Sequence, residues 1–313
     1  MSYGFSGKFE LIVKDILLKL YSLHFVRETL LQYSFQNLKG HRRMLSDKTR
    51  VHKFKKAIMK TVRKYDTVLD VGTGTGILAF FAANMGAKKI YAVDYSKIIH
   101  LAQEIATKNN FNNITFIRAN LNRIKIPKVD CIISELIGGS VVDEGIIDKM
   151  RFARKFLKND GKMIPKKIEI MFSPAESNEF DFFWQKRYGI DFSPFHRKLS
   201  EKTYPIQITN RTEFLSNDKL VYSLNFYSLP KIIFVEKTFK ITKNGYLNCF
   251  CAYFKIYLTD TIQINSLDNN PEWKSFILPV KEALKVKKGD LVKLKVWTAK
   301  NNTEWKWDYE LLS

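Results

Sequence analysis

At 313 residues, with 45% apolar side chains and 24 Phe, the chain exceeds a single small domain and can fill the core of one large or two ordinary ones. Three cysteines, Cys131, Cys249 and Cys251, are too few and too badly spaced for a disulfide framework or a zinc site, and no metal is expected. No apolar run is long enough for a helical membrane span and residues 1–8 lack a signal-peptide core, so a soluble cytoplasmic chain is expected, with nuclear residence left open.

The formal charge is +21, and residues 1–64 hold 15 Lys and Arg against 4 Asp and Glu. A field of that sign favours a polyanionic neighbour such as nucleic acid or a ribonucleoprotein, although a solvated basic surface has the same composition.

Residues 8–64 read as helices. Leu11, Ile12, Ile16 and Leu20 recur at helical spacing, and a second helix is expected over 46–63 with Ser46 or Asp47 as N-cap. Short apolar strands and helices then alternate: strands at 67–71, 89–93, 114–118 and 129–134, helices at 76–86, 96–109 and 143–158, the last stopped by Asn159-Asp160-Gly161. That rhythm implies a doubly wound parallel sheet, an α/β Rossmann-like domain over residues 65–165.

The first of these strands runs Val68-Leu-Asp-Val-Gly-Thr-Gly-Thr-Gly76, with glycines at 72, 74 and 76 after Asp70. Backbone without Cβ at a strand-to-helix turn lets N–H groups approach a bound ligand. Asp94 closes the second strand, where an acid can accept both hydroxyls of a ribose. A dinucleotide fingerprint wants Gly-x-Gly-x-x-Gly; the alternate glycines here resemble motif I of the class I S-adenosylmethionine-dependent methyltransferases instead.

After Pro165 the pattern changes. Stretches such as 167–172, 220–226, 247–258 and 291–297 alternate and are rich in β-branched and aromatic residues, which predicts an antiparallel β-barrel-like domain over 166–313. Cys249 and Cys251 would share one strand face as core residues. Between the two regions, residues 178–189 are helical in spacing and crowded with aromatics, so they need a partner surface.

The fourth strand ends Ser134-Glu135, followed by Leu-Ile-Gly-Gly-Ser-Val-Val-Asp-Glu144. Two glutamates nine residues apart around Gly138-Gly139 can converge on a hairpin; Glu144 could also simply add negative charge to the first turn of the next helix.

Motif I, the Ser-Glu-x8-Glu segment and the Pro-linked β domain together resemble the protein arginine methyltransferases across nearly the whole chain. Further matches are His41-Arg-Arg-Met-Leu-Ser-Asp-Lys-Thr-Arg50, Phe183 to Ser193 and Pro271-Glu-Trp-Lys274. The resemblance implies transfer of methyl from S-adenosylmethionine to arginine nitrogens of protein substrates, leaving S-adenosylhomocysteine. It implies that Glu135 and Glu144 form the catalytic double-E loop, that residues 1–64 cap the cofactor site, and that an arm at about 176–198 makes a homodimer.

Residue by residue, it implies that Gly72, Gly74, Thr75 and Gly76, preceded by Asp70, wrap the methionine part of the donor, that Asp94 holds the ribose, and that Arg50 binds the donor carboxylate. Leu121 and Asn122 would contact adenine, with Asn122 where the family usually has glutamate. On the substrate side it points to Phe35, Met44, Asp47, Glu272 and Trp273. Two departures stand out: the N-terminal tyrosine motif is reduced to Gln32-Tyr33-Ser34-Phe35, and Glu272 replaces the histidine that would pair with Asp47.

The chemistry calls for such a pair. A guanidinium stays protonated at working pH and its nitrogens are poor nucleophiles. Two carboxylates gripping it would fix its plane and aim one nitrogen at the donor methyl, and either could take the released proton, Glu144 being the favoured one because the strand holds Glu135 more rigidly. Three other readings share these features: a small guanidino acceptor, an RNA-associated acceptor, and a catalytically weak regulatory paralogue.

Overall fold

The computed structural model describes residues 38–179, 186–217, 219–268, 273–299 and 301–312. The expected helix near residues 11–20, Phe35, the aromatic run at 180–185 and Glu272 lie outside the described residues.

Two helices lead into the first domain, α1 (Leu38–Ser46) and α2 (Lys48–Thr61). Asp47 ends the first and caps the second, its Oδ1 accepting the Arg50 backbone N–H at 3.0 Å. Phe54, Ala57 and Ile58 turn the apolar side of α2 into the core.

Five strands follow: β1 (Thr67–Val71), β2 (Lys89–Asp94), β3 (Ile114–Arg118), β4 (Val129–Ser134) and β5 (Leu157–Ile164). Helices α3 (Ile77–Asn84), α4 (Ile98–Lys108) and α5 (Ile146–Ala153) separate them, and the order across the sheet is β3-β2-β1-β4-β5, all parallel. Val68, Leu69, Ile90, Ile132 and Ile133 are fully buried, as a parallel sheet covered on both faces requires.

In the first domain one element departs from the sequence pattern. The helix expected over 143–158 starts at Ile146 and ends at Ala153, and Leu157–Ile164 is a fifth strand. The Asn159-Asp160-Gly161 run that reads as a helix stop is a register irregularity where the strand pairs with β4.

The second domain is antiparallel. Strand β6 (Lys167–Ser177) precedes a small hairpin of β7 (Lys186–Arg187) and β8 (Ile190–Asp191), helix α6 (Ser193–Leu199), and strands β9 (Tyr204–Ile206), β10 (Thr212–Phe214) and β11 (Leu220–Asn225). Then come β12 (Phe234–Lys240), β13 (Gly245–Tyr257), β14 (Gln263–Asn265), β15 (Ser275–Val286), β16 (Leu291–Ala299) and β17 (Glu304–Leu312). The larger sheet runs β10-β6-β13-β15-β9, and β12-β16-β17 make a second sheet.

Phe172, Phe250, Phe254 and Phe276 fill the space behind these sheets and join one apolar core that continues into the parallel-sheet domain. Cys249 and Cys251 are buried on β13 with their sulfurs 3.9 Å apart. Where the helical spacing of 178–189 ends, Tyr188 (φ +55°) and Gly189 (φ +77°) instead form the tight turn of the β7–β8 hairpin.

Candidate active site

Sheet order places the site. Strands β1 and β4 are parallel neighbours at the point where the order reverses, with Val71 beside Ser134, so Gly72 and Glu135 leave the carboxyl edge side by side. The Ser134 hydroxyl donates to the Val71 carbonyl at 3.0 Å and ties the two strand ends together. Gly72 has φ +72°, and a Cβ there would stand 2.5 Å from Leu136 Cδ2, so the glycine lets the acidic loop pack on the turn.

Two acids organise that turn. Asp70 has no solvent exposure, and its Oδ2 accepts the Thr73 hydroxyl at 2.6 Å. Burial raises its pKa to about 7 against the opposing Thr73 hydrogen bond; Asp94 and Glu135 push further up, and the Ala79 backbone N–H pulls down. Asp70 thus holds the turn from beneath instead of facing a ligand.

Asp94 is half-buried at the same edge. Its Oδ2 accepts the Gly74 N–H at 2.9 Å, and its Oδ1 accepts the Ser96 N–H at 2.8 Å and hydroxyl at 2.7 Å. Gly76 donates to the Thr73 carbonyl at 2.8 Å and begins α3, while Thr75 is buried. Leu121 and Asn122 lie in a short 3-10 turn after β3, Leu121 half-buried and Asn122 exposed, close to Asp94 because the Ala119 N–H donates to the Asp94 carbonyl at 3.1 Å.

Residues 135–144 form a strapped loop. Gly138 and Val141 pair across it, with Val141 N–H donating to the Gly138 carbonyl at 3.1 Å. The Asp143 carboxylate closes it from inside: Oδ1 accepts the Ser140 N–H at 3.0 Å and hydroxyl at 3.1 Å, and Oδ2 accepts the Gly139 N–H at 3.2 Å. A Cβ on Gly138 would collide with that carboxylate. Val141, β-branched and fully buried, adopts φ +72°, a conformation that costs on the order of 1–3 kcal/mol and persists only where the surroundings enforce it.

Two indoles from the β domain supply that enforcement. Trp273 Nε1–H donates to the Ile137 carbonyl at 2.9 Å and Trp305 Nε1–H to the Ser140 carbonyl at 2.8 Å. Trp273, expected to touch substrate, is 3% exposed and spends its one donor on the loop.

Glu144 is half-buried at the end of the loop, and its backbone carbonyl accepts from Lys149 Nζ at 2.8 Å. Its pKa is pushed up to about 8, first by burial, then by the charges of Glu135 and Asp143, against the pull of Lys149 and Arg50.

Arg50 completes the cleft. Its Nη1 donates to Glu135 Oε2 at 2.9 Å, its Nη2 to the carbonyl of half-buried Met44 at 2.6 Å, and its guanidinium lies 5.6 Å from the Trp273 ring centroid. Asp47 Oδ1 is committed to the cap of α2, and its Oδ2 has no hydrogen-bond partner among the described residues.

Three residues that hold Asp94 and the acidic loop have no role in the sequence analysis: Ser96, Asp143 and Trp305. Ser96 was findable, since Asp-x-Ser is an Asx-turn signature. Asp143 reaches backwards to Gly139 and Ser140, and Trp305 comes from the far end of the chain, so neither leaves a local signal. Among the described residues there is no group of His, Cys, Asp and Glu that could hold a metal ion, and no helix long and apolar enough to cross a membrane.

Two family models match the chain. Residues 55–165 match one described as ribosomal protein L11 methyltransferase, and residues 170–311 one described as the arginine methyltransferase oligomerization subdomain. Protein arginine N-methyltransferase 1 of Schizosaccharomyces pombe is 30% identical over 271 residues, 81% of this chain and 79% of that one. The Saccharomyces cerevisiae protein of the same name is 33% identical over 236 residues, 71% and 68% of the two chains. A solved Trypanosoma brucei PRMT1 enzyme-prozyme heterotetrameric complex with AdoHcy superposes with a TM-score of 0.78 at 24% identity, covering 89% of this chain and 94% of that one.

Proposed function

The chain belongs to the protein arginine N-methyltransferase family, and from that premise we propose that its cleft transfers methyl from S-adenosylmethionine to the guanidino nitrogen of arginine in a protein substrate. The observation that carries this reading is the placement of Glu135 and Glu144 on one strapped loop against the glycine turn, with Glu135 already accepting a hydrogen bond from a guanidinium.

The residues present suit the donor. Gly72, Gly74 and Gly76 all have positive φ, so the turn offers backbone where any other residue would place a Cβ. Asp94 keeps one lone-pair site, on Oδ2, beyond the three given to Gly74 and Ser96, enough to accept a ribose hydroxyl. Arg50 supplies a cation for the donor carboxylate, and Asn122 an exposed amide for the adenine amine. When bound, the donor supplies a methyl group on a sulfonium, ready to move to nitrogen with departure of a neutral thioether.

The chain's own work is positioning and electrostatics. Glu135 and Glu144 hold the guanidinium plane between them, and its charge offsets their mutual repulsion and draws Glu144 into the carboxylate form. Glu144 then accepts the proton the nitrogen gives up, which its raised pKa suits at neutral pH. Orientation of this kind can be worth about 7–11 kcal/mol of barrier in the best cases.

A homodimer through the arm at 176–198 fits the match to an oligomerization subdomain and the exposure of Tyr188 (95%) and Ile190 (58%) at the β7–β8 hairpin. The outward side of α2 favours an acceptor presented with nucleic acid: Lys48, His52, Lys55, Lys56 and Lys60 are exposed, and no Asp or Glu falls between Lys48 and Lys64. Like charge would slow encounter with a bare arginine-rich chain, and a bound polyanion removes that conflict. We place the chain in the cytoplasm, with the nucleus open to it.

Calorimetry with S-adenosylmethionine followed by transfer to a Gly-Arg-rich peptide tests the reading. Donor binding with methylated arginine supports it; donor binding with no transfer to any guanidine, protein or small, points to a regulatory paralogue instead.

A further inference from the structure

The C-terminal hairpin formed by β16 and β17 reaches the chain on both sides of Glu144, at the acidic loop before it and at the start of α5 after it. On one side Trp305 donates to the Ser140 carbonyl. On the other, Thr303 Cγ2 lies 3.5 Å from where a Cβ on Gly145 would be, and Asn302 Nδ2 donates to the Lys231 carbonyl at 2.7 Å and to Asp148 Oδ1 at 3.3 Å. Trp273, by contrast, donates its indole N–H in the Glu135 half of the loop, at Ile137.

Trp305 is itself fixed. It is 3% exposed, set edge-on to Phe172 at 5.6 Å and stacked on Phe276 at 6.4 Å between ring centroids. The residue it holds, Ser140, is tied inward to Asp143, which adjoins Glu144, and it precedes Val141 with its left-handed backbone. Slack at Ser140 therefore passes along Asp143 to Glu144.

We infer that Trp305 is a positioning residue for the transfer reaction, holding through its indole N–H the half of the loop that aims and partly dehydrates Glu144. The inference rests on the proposed role of Glu144. The groups facing Glu144 are Glu135 from the end of β4, Asp143 from the loop, Lys149 from α5 and Arg50 from α2, while the β domain presents neutral indoles. Loosening the loop admits water without changing those charges, so it lowers the Glu144 pKa.

The test compares Trp305→Phe with Trp307→Phe in the full chain. Trp307 lies on the same strand and its indole donates to the Pro279 carbonyl at 3.0 Å, away from the loop, so the control loses the same kind of bond. Trp305→Phe is expected to speed backbone hydrogen exchange over residues 136–145, to lower kcat by roughly tenfold to a hundredfold with donor affinity unchanged, and to move the acid limb of the kcat profile down by about one pH unit. Trp307→Phe should leave all three at wild-type values.

Equal exchange in the two variants, or faster exchange in Trp305→Phe with kcat and the acid limb unmoved, overturns the inference. If wild type methylates no guanidine, the proposed function falls separately and the exchange comparison alone decides whether Trp305 holds the loop. Should Trp305→Phe fail to fold, Asn302→Ala, which frees the same hairpin from Lys231 and Asp148, is read the same way.

Discussion

Arg50 and Glu135, 85 positions apart in the chain, meet at 2.9 Å in a pair that is 8% and 19% exposed. The contact joins the helix before the sheet to the end of β4, and the other guanidinium nitrogen holds Met44 of α1, so one side chain closes α1 over the glycine turn. Arg50→Ala should therefore lower donor affinity by about tenfold to a hundredfold. Arg50→Lys should not restore it, because a lysine cannot reach Glu135 and the Met44 carbonyl with a planar fork. Calorimetric donor binding checks both, and wild-type affinity in Arg50→Lys contradicts the bridging role.

Glu144→Gln separates chemistry from binding. Turnover should drop by roughly a hundredfold or more, while donor affinity stays within a few-fold. Single-turnover kinetics alongside calorimetry read the two; a large loss of donor affinity instead places Glu144 in the donor site.

The same substitution has a stability signature with a definite sign. The folded-state pKa of Glu144 is raised from 4.5 to about 8, so the folded chain binds this proton more tightly than the unfolded chain does. Stability from this group falls as pH rises between those values, and the whole penalty is present above the upper one. Glu144→Gln should raise the melting temperature at about pH 9 and change it little at about pH 4. Thermal unfolding at the two pH values decides, and equal shifts at both speak against a raised pKa.

Asp94 holds the Gly74 N–H and both donors of Ser96. Asp94→Ala frees all three and removes the proposed ribose acceptor, so donor affinity should fall by about tenfold or more with the fold kept. Circular dichroism and calorimetry on the one variant check both halves.

If the outward side of α2 carries a polyanion, replacing Lys55, Lys56 and Lys60 together by Glu should reduce the slope of log affinity against log salt for single-stranded RNA by roughly two to three. Methylation of a nucleic-acid-free Gly-Arg-rich peptide should be no slower than wild type, because the charge reversal relieves like-charge repulsion. Wild-type binding of RNA with no salt dependence contradicts the assignment.

The sheet and the cofactor turn were legible because their signals are local. Residues 67–71 and 129–134 are short apolar runs buried on both faces, and the alternate glycines at 72, 74 and 76 follow directly. The acidic loop was legible as a hairpin about Gly138-Gly139, but those residues left Glu144 open as helix-start charge, and its pairing with Glu135 came from the resemblance to the arginine methyltransferases. What misled was also local: Asn159-Asp160-Gly161 has turn composition but lies inside an edge strand, and the helical spacing near Tyr188 gives way to a hairpin once Gly189 takes positive φ. The bracing of the loop was invisible because it is long-range, Trp305 meeting Ser140 from 165 residues away, and Asp143 binding amides behind it instead of ahead.

Mass analysis of a Gly-Arg-rich peptide incubated with S-adenosylmethionine and either the wild-type chain or Glu144→Gln tests the central claim most directly. Arginine in the wild-type reaction should gain methyl groups, and over the same time the Glu144→Gln reaction should yield about a hundredth as much or less. Donor bound by the wild-type chain with no methylated guanidine in any acceptor, or equal methylation by both proteins, would contradict the account.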